Sequence, residues 1–325
     1  MPTDWLPGCE AASLFYSPGT VSQARDTILM PEIANGYLGT IQGSDTIYAG
    51  GLFDGDATGK FGPASHRARI PAYRVTLSAG AGRGVDAAGS ALDIERAVFL
   101  QRSRVGGVAA EERWFAHATR PSLLVHEVEL TNGGTASANV TLSASASAPS
   151  SELNLTAAAG TAPTDYAVAG QNIVGEDATM AGGGNHTQVA FIANAPCEPG
   201  PGGSCSQTVA VPAGQTVTYY FLTTVVTSLN STAPLRDASD IHRAALAAPT
   251  GALLREHEVA WRARWARGSV AVVGDLRLAQ AINASLYSLR SSIRDDWPYG
   301  LSPGGLTSDG YNGVRDRGRT LLCGW

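Results

Sequence analysis

Leu123-Leu124-Val125-His126-Glu127-Val128-Glu129-Leu130 and Ala138-Asn139-Val140-Thr141-Leu142-Ser143-Ala144-Ser145-Ala146 decide the fold. In the first stretch Leu124, Val128 and Leu130 fall on one side and Glu127 and Glu129 on the other. In the second, Val140, Leu142 and Ala144 alternate with Asn139, Thr141 and Ser143. A period of two marks a strand with one face buried. Outward from these, Gln215–Thr227 has the Val, Tyr, Phe and Thr content of a strand. Asn132-Gly133-Gly134 and Pro212-Ala213-Gly214 punctuate the runs as turns. From about Ile33 to Leu229 no helical period intervenes, which predicts a mostly β chain with two packed sheets.

The pattern changes near Pro234. Asp237–Ala247 is rich in Ala and Arg and predicts a helix. A second helix carries Leu254, Trp261 and Trp265 at helical spacing, where the tryptophans read as core. A third begins at Asp275, a residue suited to cap it and meet its dipole. There Leu278, Ile282, Leu286, Leu289 and Ile293 form one apolar ridge. The ridge needs a partner, either the sandwich or a helical domain that follows it.

Composition narrows the function. The chain has 325 residues, a net charge of -5 and 16% charged residues. It has no basic stripe, which argues against a nucleic-acid partner. No apolar run is long enough to predict a membrane span. Met1–Glu10 lacks the basic start and apolar core of a secretory signal. Five Asn-x-Ser/Thr sequons, at Asn139, Asn154, Asn185, Asn230 and Asn283, nevertheless favour a secretory, lysosomal or vacuolar, or extracellular setting. Cys197 and Cys205 bracket a Pro/Gly-rich loop, and a disulfide clip across a hairpin tip is expected there. Cysteine and histidine spacings give no metal site, and no cofactor motif occurs.

Few residues offer chemistry. Phosphate-loop, nucleophile-elbow and zinc-helix motifs are missing. His126 and His257 read as structural. Asp93-Ile94-Glu95-Arg96 and Glu111-Glu112-Arg113 read as ion-paired clusters on strands. The segment Leu301-Ser302-Pro303-Gly304-Gly305-Leu306-Thr307-Ser308-Asp309-Gly310-Tyr311-Asn312-Gly313 is dense in turn formers. It predicts a loop lining a cleft, with Asp309, Tyr311 and Asn312 as candidate substrate contacts.

Three groups of residues resemble glycoside hydrolase family 65, the group of acid trehalases and protein-glucosylgalactosylhydroxylysine glucosidases. The first is Asn35-Gly36-Tyr37-Leu38-Gly39-Thr40, Tyr48-Ala49-Gly50-Gly51-Leu52-Phe53 and His66-Arg67-Ala68-Arg69-Ile70-Pro71. The second is Leu92-Asp93-Ile94-Glu95-Arg96-Ala97 and Glu112-Arg113-Trp114-Phe115-Ala116. The third runs from Glu256-His257-Glu258 through Val272-Val273-Gly274-Asp275 and Ser285-Leu286-Tyr287-Ser288-Leu289 to the 301–313 segment.

The resemblance implies an N-terminal super-β-sandwich, a helical linker and an (α/α)6 barrel that holds the active site. The expected division is an N-terminal extension at 1–29, the sandwich at 30–232, the linker at 233–270 and the first helix of a truncated barrel at 271–313. An aberrant tail follows at 314–325. The implied activity is inverting hydrolysis of α-glucosides without a cofactor, using two carboxyl groups spaced for a water between them. Phosphorolysis is the variant some relatives use, and a homodimer is compatible with the family. In the family, Tyr-Asn-Gly leads into a His-x-Phe-Trp-Asp-Thr-Glu motif. Here Gly313 is followed by Val314-Arg315-Asp316-Arg317-Gly318-Arg319. The expectation is therefore a chain that holds no catalytic residue and does not hydrolyse its substrate. The competing expectation is a non-catalytic sandwich that binds carbohydrate or serves assembly.

Overall fold

The computed structural model describes residues 14–17, 32–41, 43–55, 66–79, 85–175, 186–270 and 272–301. The alternating stretches form the strands that centre the fold. Their order in the chain is β1 (Leu14–Ser17), β2 (Glu32–Ala34), β3 (Leu38–Ile41), β4 (Thr46–Ala49), β5 (Phe53–Asp54), β6 (His66–Arg67), β7 (Ile70–Pro71), β8 (Tyr73–Ser78) and β9 (Val85–Asp93). They continue as β10 (Val98–Val105), β11 (Val108–Ala116), β12 (Leu123–Thr131), β13 (Ala138–Ala146), β14 (Leu153–Ala157), β15 (Asp165–Asn172), β16 (Gln188–Asn194), β17 (Cys205–Val211) and β18 (Thr216–Thr227).

A nine-stranded antiparallel sheet in the order β1-β9-β10-β11-β12-β18-β16-β15-β14 is the central layer. A three-stranded sheet, β17-β13-β8, and a four-stranded one, β2-β3-β4-β7, lie against one of its faces. The chain crosses between layers after β12, after β13, after β16 and after β17. Alternation explains the layering. Val108, Ala110, Val128 and Leu130 point inward and meet Val140, Leu142 and Val75 of the smaller sheet in one apolar core. Each such side chain, removed from water, contributes about 1.5–3 kcal/mol.

The opposite face of the large sheet carries apolar patches too, covered by helices. These are α1 (Pro234–Leu246), α2 (Ala252–Ala266) and α3 (Leu276–Ser292). Ala245 and Leu253 pack on Leu100, Phe115, Val125 and Leu222. Ala238 packs on Ile192 and Val226. Trp261 is fully buried against Phe99, Ala116 and Tyr287. Trp265 Nε1 donates to Ile94 O at 3.0 Å, so both tryptophans serve packing.

One alternative left open by the sequence is decided, and two features differ from its reading. Helix α3 starts as expected, with the Asp275 carboxylate accepting from Leu278 N at 3.0 Å. Its leucine ridge, however, faces away from the sandwich: Leu278, Leu289 and Ile293 are 49%, 55% and 59% exposed. The helix docks instead through Ala279, Tyr287 and Ser291. Tyr287 Oη donates to Glu32 O at 2.7 Å, and burial raises the Glu32 carboxyl above its ordinary range despite bonds from Ser288 and Ser291. The first difference is at 93–96, which is a turn. Asp93 Oδ1 accepts from Glu95 N and Arg96 N, both at 3.1 Å, and Arg96 Nε reaches Glu258 on α2 at 2.7 Å. The second is the cysteine loop. Cys197 and Cys205 are bonded, with Cα atoms 5.9 Å apart, but they clip the crossing from β16 in the large sheet to β17 in the small one. Tyr73 Oη fastens the same loop by donating to Gly203 O at 2.8 Å.

Candidate functional site

The first and third family-like groups of residues meet at one place. Asn35, at the end of β2, has no exposed surface and uses its whole amide. Oδ1 accepts from Tyr37 N at 2.9 Å and Leu38 N at 2.8 Å, closing an Asx turn. Nδ2 donates to His117 O at 3.0 Å and Pro121 O at 2.9 Å, tying that turn to the β11–β12 loop.

The chain leaving α3 lies across this turn. Arg294 Nη1 donates to Ala118 O at 2.9 Å in the same β11–β12 loop, and its Nε holds Asp296 at 2.7 Å. Trp297 Nε1 donates to Gly50 O at 3.0 Å, and its ring meets Tyr37 edge-on at 5.0 Å. Two glycines make the approach possible. Gly36 has φ +89, and a Cβ there would lie 2.5 Å from the Ile293 carbonyl. Gly51 has φ +90, and a Cβ would lie 2.6 Å from the Tyr299 ring. Both need left-handed backbone and the absence of a side chain. Leu301 closes the segment: its N donates to Ser292 O at 2.7 Å, and its side chain packs on Ala34 and Tyr48.

Helix α2 locks the same loop from below. His257 Nδ1 accepts from Ala118 N at 3.2 Å, which leaves Nε2 protonated to face Ala97 O at 3.2 Å. Ala97 holds a left-handed φ of 55. His117 Nδ1 accepts from Arg120 N at 3.1 Å. Both imidazoles are neutral. Burial first, and then the neighbouring His117, pushes His257 down to about 3; burial first, and then Arg120, pushes His117 down to about 4. The 117–121 loop is thus a hub joining the β2 turn, α2 and the 294–301 segment. Its chemistry is positioning, since the Asn35 amide, His257 and His117 Nδ1 are engaged within the hub.

Asp309, Tyr311 and Asn312 lie outside the described residues, as does Asn185. The hub places the start of the segment that carries them. Asn139, Asn154 and Asn230 are exposed, whereas Asn283 is half-buried within α3. Glu111-Glu112-Arg113 divides between the faces of its strand. Arg113 joins Glu111, Glu127 and Glu129 on the helix side, while Glu112 points between the sheets to His126 Nε2 at 2.9 Å. Among the described residues no group of three or more His, Cys, Asp or Glu could hold a metal ion. Among the described residues no helix is long and apolar enough to cross a membrane. Arg294, Trp297 and Tyr299 were missed in the sequence. The signal that could have found them was the paired glycines at 36 and 50–51, which imply close approach of something bulky.

The fold, a sandwich with helices on its outer face, has a solved counterpart. A solved structure assigned as a kojibiose phosphorylase from the human microbiome matches it with a TM-score of 0.64 at 9% identity, covering 87% of this chain and 42% of that one. No protein-family model matches the chain. The chain is 30% identical over 327 residues to protein-glucosylgalactosylhydroxylysine glucosidase of Dictyostelium discoideum, covering 96% of this chain and 42% of that protein. The Mus musculus protein of the same name is 29% identical over 305 residues, 89% of this chain and 40% of its own length. Kojibiose hydrolase of Mucilaginibacter mallensis is 33% identical over 101 residues, 31% of this chain and 15% of its own. Over the matched residues the chain belongs to glycoside hydrolase family 65, of which it covers the N-terminal portion. It spans about two fifths of the length of the two glucosidases it matches.

Proposed function

We propose that this chain is the sandwich and linker part of an enzyme that hydrolyses α-glucosides with inversion, and that it releases no glucose by itself. The observation that carries the reading is the 30% identity to a glucosidase over 96% of the chain. The glucosyl-galactosyl unit on hydroxylysine is the first substrate to test, and trehalose-like disaccharides the second. The proposed division has the sandwich end near 232, the linker run to 270, and α3 begin the barrel. The exposed Leu278, Leu289 and Ile293 supply the apolar seat that further barrel helices would cover. The buried carboxylates Glu112, Glu127 and Glu152 support a non-catalytic role, since each is held by an imidazole or guanidinium. The acid and base of an inverting pair would come from barrel residues that follow the 301–313 segment.

The test joins residues 1–313 to the remaining length of the Dictyostelium relative. The chimera is incubated with glucosylgalactosylhydroxylysine, trehalose and kojibiose, with and without phosphate, and the released sugar is followed by NMR. The expected product from glucosylgalactosylhydroxylysine is glucose appearing first as the β anomer, and from trehalose one β and one α glucose together, from the chimera and not from the 325-residue chain. Glucose 1-phosphate, an α-first product, or release by the chain alone would overturn the proposal.

A further inference from the structure

The sandwich holds a cavity of about 290 Å³ between its layers. Its floor is the inner face of the large sheet at β10, β11, β12 and β18. Its walls are β8, an edge strand of its sheet among the described residues, and the β3–β4 hairpin. Strand alternation should make that floor apolar, as the same face is farther along, at Val108, Ala110, Val128 and Leu130. The next inward positions are Glu112, Trp114 and His126, with Gln101 paired opposite Glu112. Glu112 is only 5% exposed. A carboxylate in a sandwich interior is costly unless it is fully partnered, so a purely structural core has no use for one there.

The bonds of Glu112 give it a task. It accepts from His126 Nε2 at 2.9 Å and from Gln101 Nε2 at 3.3 Å. With Nε2–H engaged, a neutral His126 turns Nδ1 outward as an acceptor. The Trp114 ring stacks on His126 at 4.4 Å and 13° and offers Nε1–H as a donor. Neither His126 Nδ1 nor Trp114 Nε1 makes a hydrogen bond among the described residues. The two rings cover one another's faces and are flanked by Phe99 and Phe221, so the floor presents ring edges with one open acceptor and one open donor, oriented by Glu112. Such edges suit a compact ligand whose hydroxyls both donate and accept. The volume, at the lower end of the usual range for small-molecule sites, suits one six-membered ring. Arg74 in the wall donates to Gly43 O at 2.7 Å, and the open donor and acceptor of the floor together match a hydroxyl better than an anion.

We propose that this inter-sheet cavity binds a single neutral hexose ring. The inference is independent of the hydrolase reading, because it concerns binding to the chain as it stands.

The test uses the 325-residue chain with ¹⁵N-labelled tryptophan, which gives six indole resonances to follow. Trp114→Phe identifies the Trp114 signal. D-glucose and D-galactose are the probes, and sodium sulfate is the anion control. The expected result is a saturable shift of the Trp114 resonance by a hexose, half-complete at about millimolar concentration. His126→Phe keeps a ring and removes the acceptor. It should weaken binding at least about tenfold while the other indole signals stay in place. If His126→Phe does not fold, Gln101→Met keeps the imidazole and should weaken binding about threefold or more, by releasing Glu112. No saturable shift below about 100 mM hexose would overturn the site. So would a shift by sulfate in place of sugar, or full affinity in the folded variants.

Discussion

Replacing Gly36 by Ala tests the hub where it is tightest. Two costs add. The backbone sits at φ +89, where an L residue loses about 1–2 kcal/mol. The new Cβ would also lie 2.4 Å from Arg294 Cγ and 2.5 Å from the Ile293 carbonyl, both below any real contact. Backbone cannot rotate away as a side-chain tip can, so overpacking adds about 1–3 kcal/mol. The sum is roughly 2–5 kcal/mol, a large share of a typical domain's stability. Gly107 is the matched control: it has φ +91 and nothing within 4 Å of a built Cβ. Urea unfolding, followed by tryptophan fluorescence, measures both variants. Gly36→Ala should be less stable than Gly107→Ala by about 1–3 kcal/mol, the contact part alone. Equal losses would refute the close packing of the 293–294 backbone on the β2 turn.

Acid should loosen the α2 latch. His257 has a folded pKa of about 3 against an ordinary 6.5, so the unfolded chain binds the extra proton throughout that window. Its contribution is complete above pH 6.5 and falls as pH drops toward 3, by about 2 kcal/mol at pH 5. The stability gap between the wild type and His257→Gln should shrink by that amount between pH 7 and pH 5 in urea titrations, and a constant gap would count against it. Reducing the Cys197–Cys205 bond, with a sequence separation of 8, should cost about 2.5 kcal/mol by loop entropy, read as a lower melting temperature of Cys197→Ser. In a secretory host, peptide mass spectrometry should find glycan on the exposed Asn139 and Asn154 and none on the half-buried, helical Asn283.

The long strands were legible because their burial is one-sided. Alternation at 138–146 and 123–131 states the inner face directly. The short strands β2 to β7 carry too few residues for a period to show. The ridge of α3 was legible as a ridge, but which partner it faces was not. A tyrosine hydroxyl on a buried carbonyl and small residues at Ala279 and Ser291 fixed the orientation, leaving the leucines outside. At the hub, Asn35 and Arg294 are 259 residues apart, beyond any local pattern, and only the glycines hinted at the contact. The inward Glu112 and His126 looked like members of separate clusters. Cross-strand register made them a pair: Glu112 faces Val128 and Trp114 faces His126 across one ladder, so Glu112 and His126 meet diagonally.

The most direct measurement is the activity of the 1–313 chimera with and without Trp297→Ala. The hub holds the 294–301 segment through the Trp297–Gly50 bond and the Tyr37 contact, and Asp309, Tyr311 and Asn312, the proposed substrate contacts, follow it in the sequence. A displacement of about 1 Å at a substrate-positioning loop costs up to about a hundredfold in rate. The account predicts that Trp297→Ala lowers kcat/KM for glucosylgalactosylhydroxylysine at least about tenfold, while the α1 and β18 amides keep their exchange protection. Unchanged kcat/KM in a folded variant would contradict it.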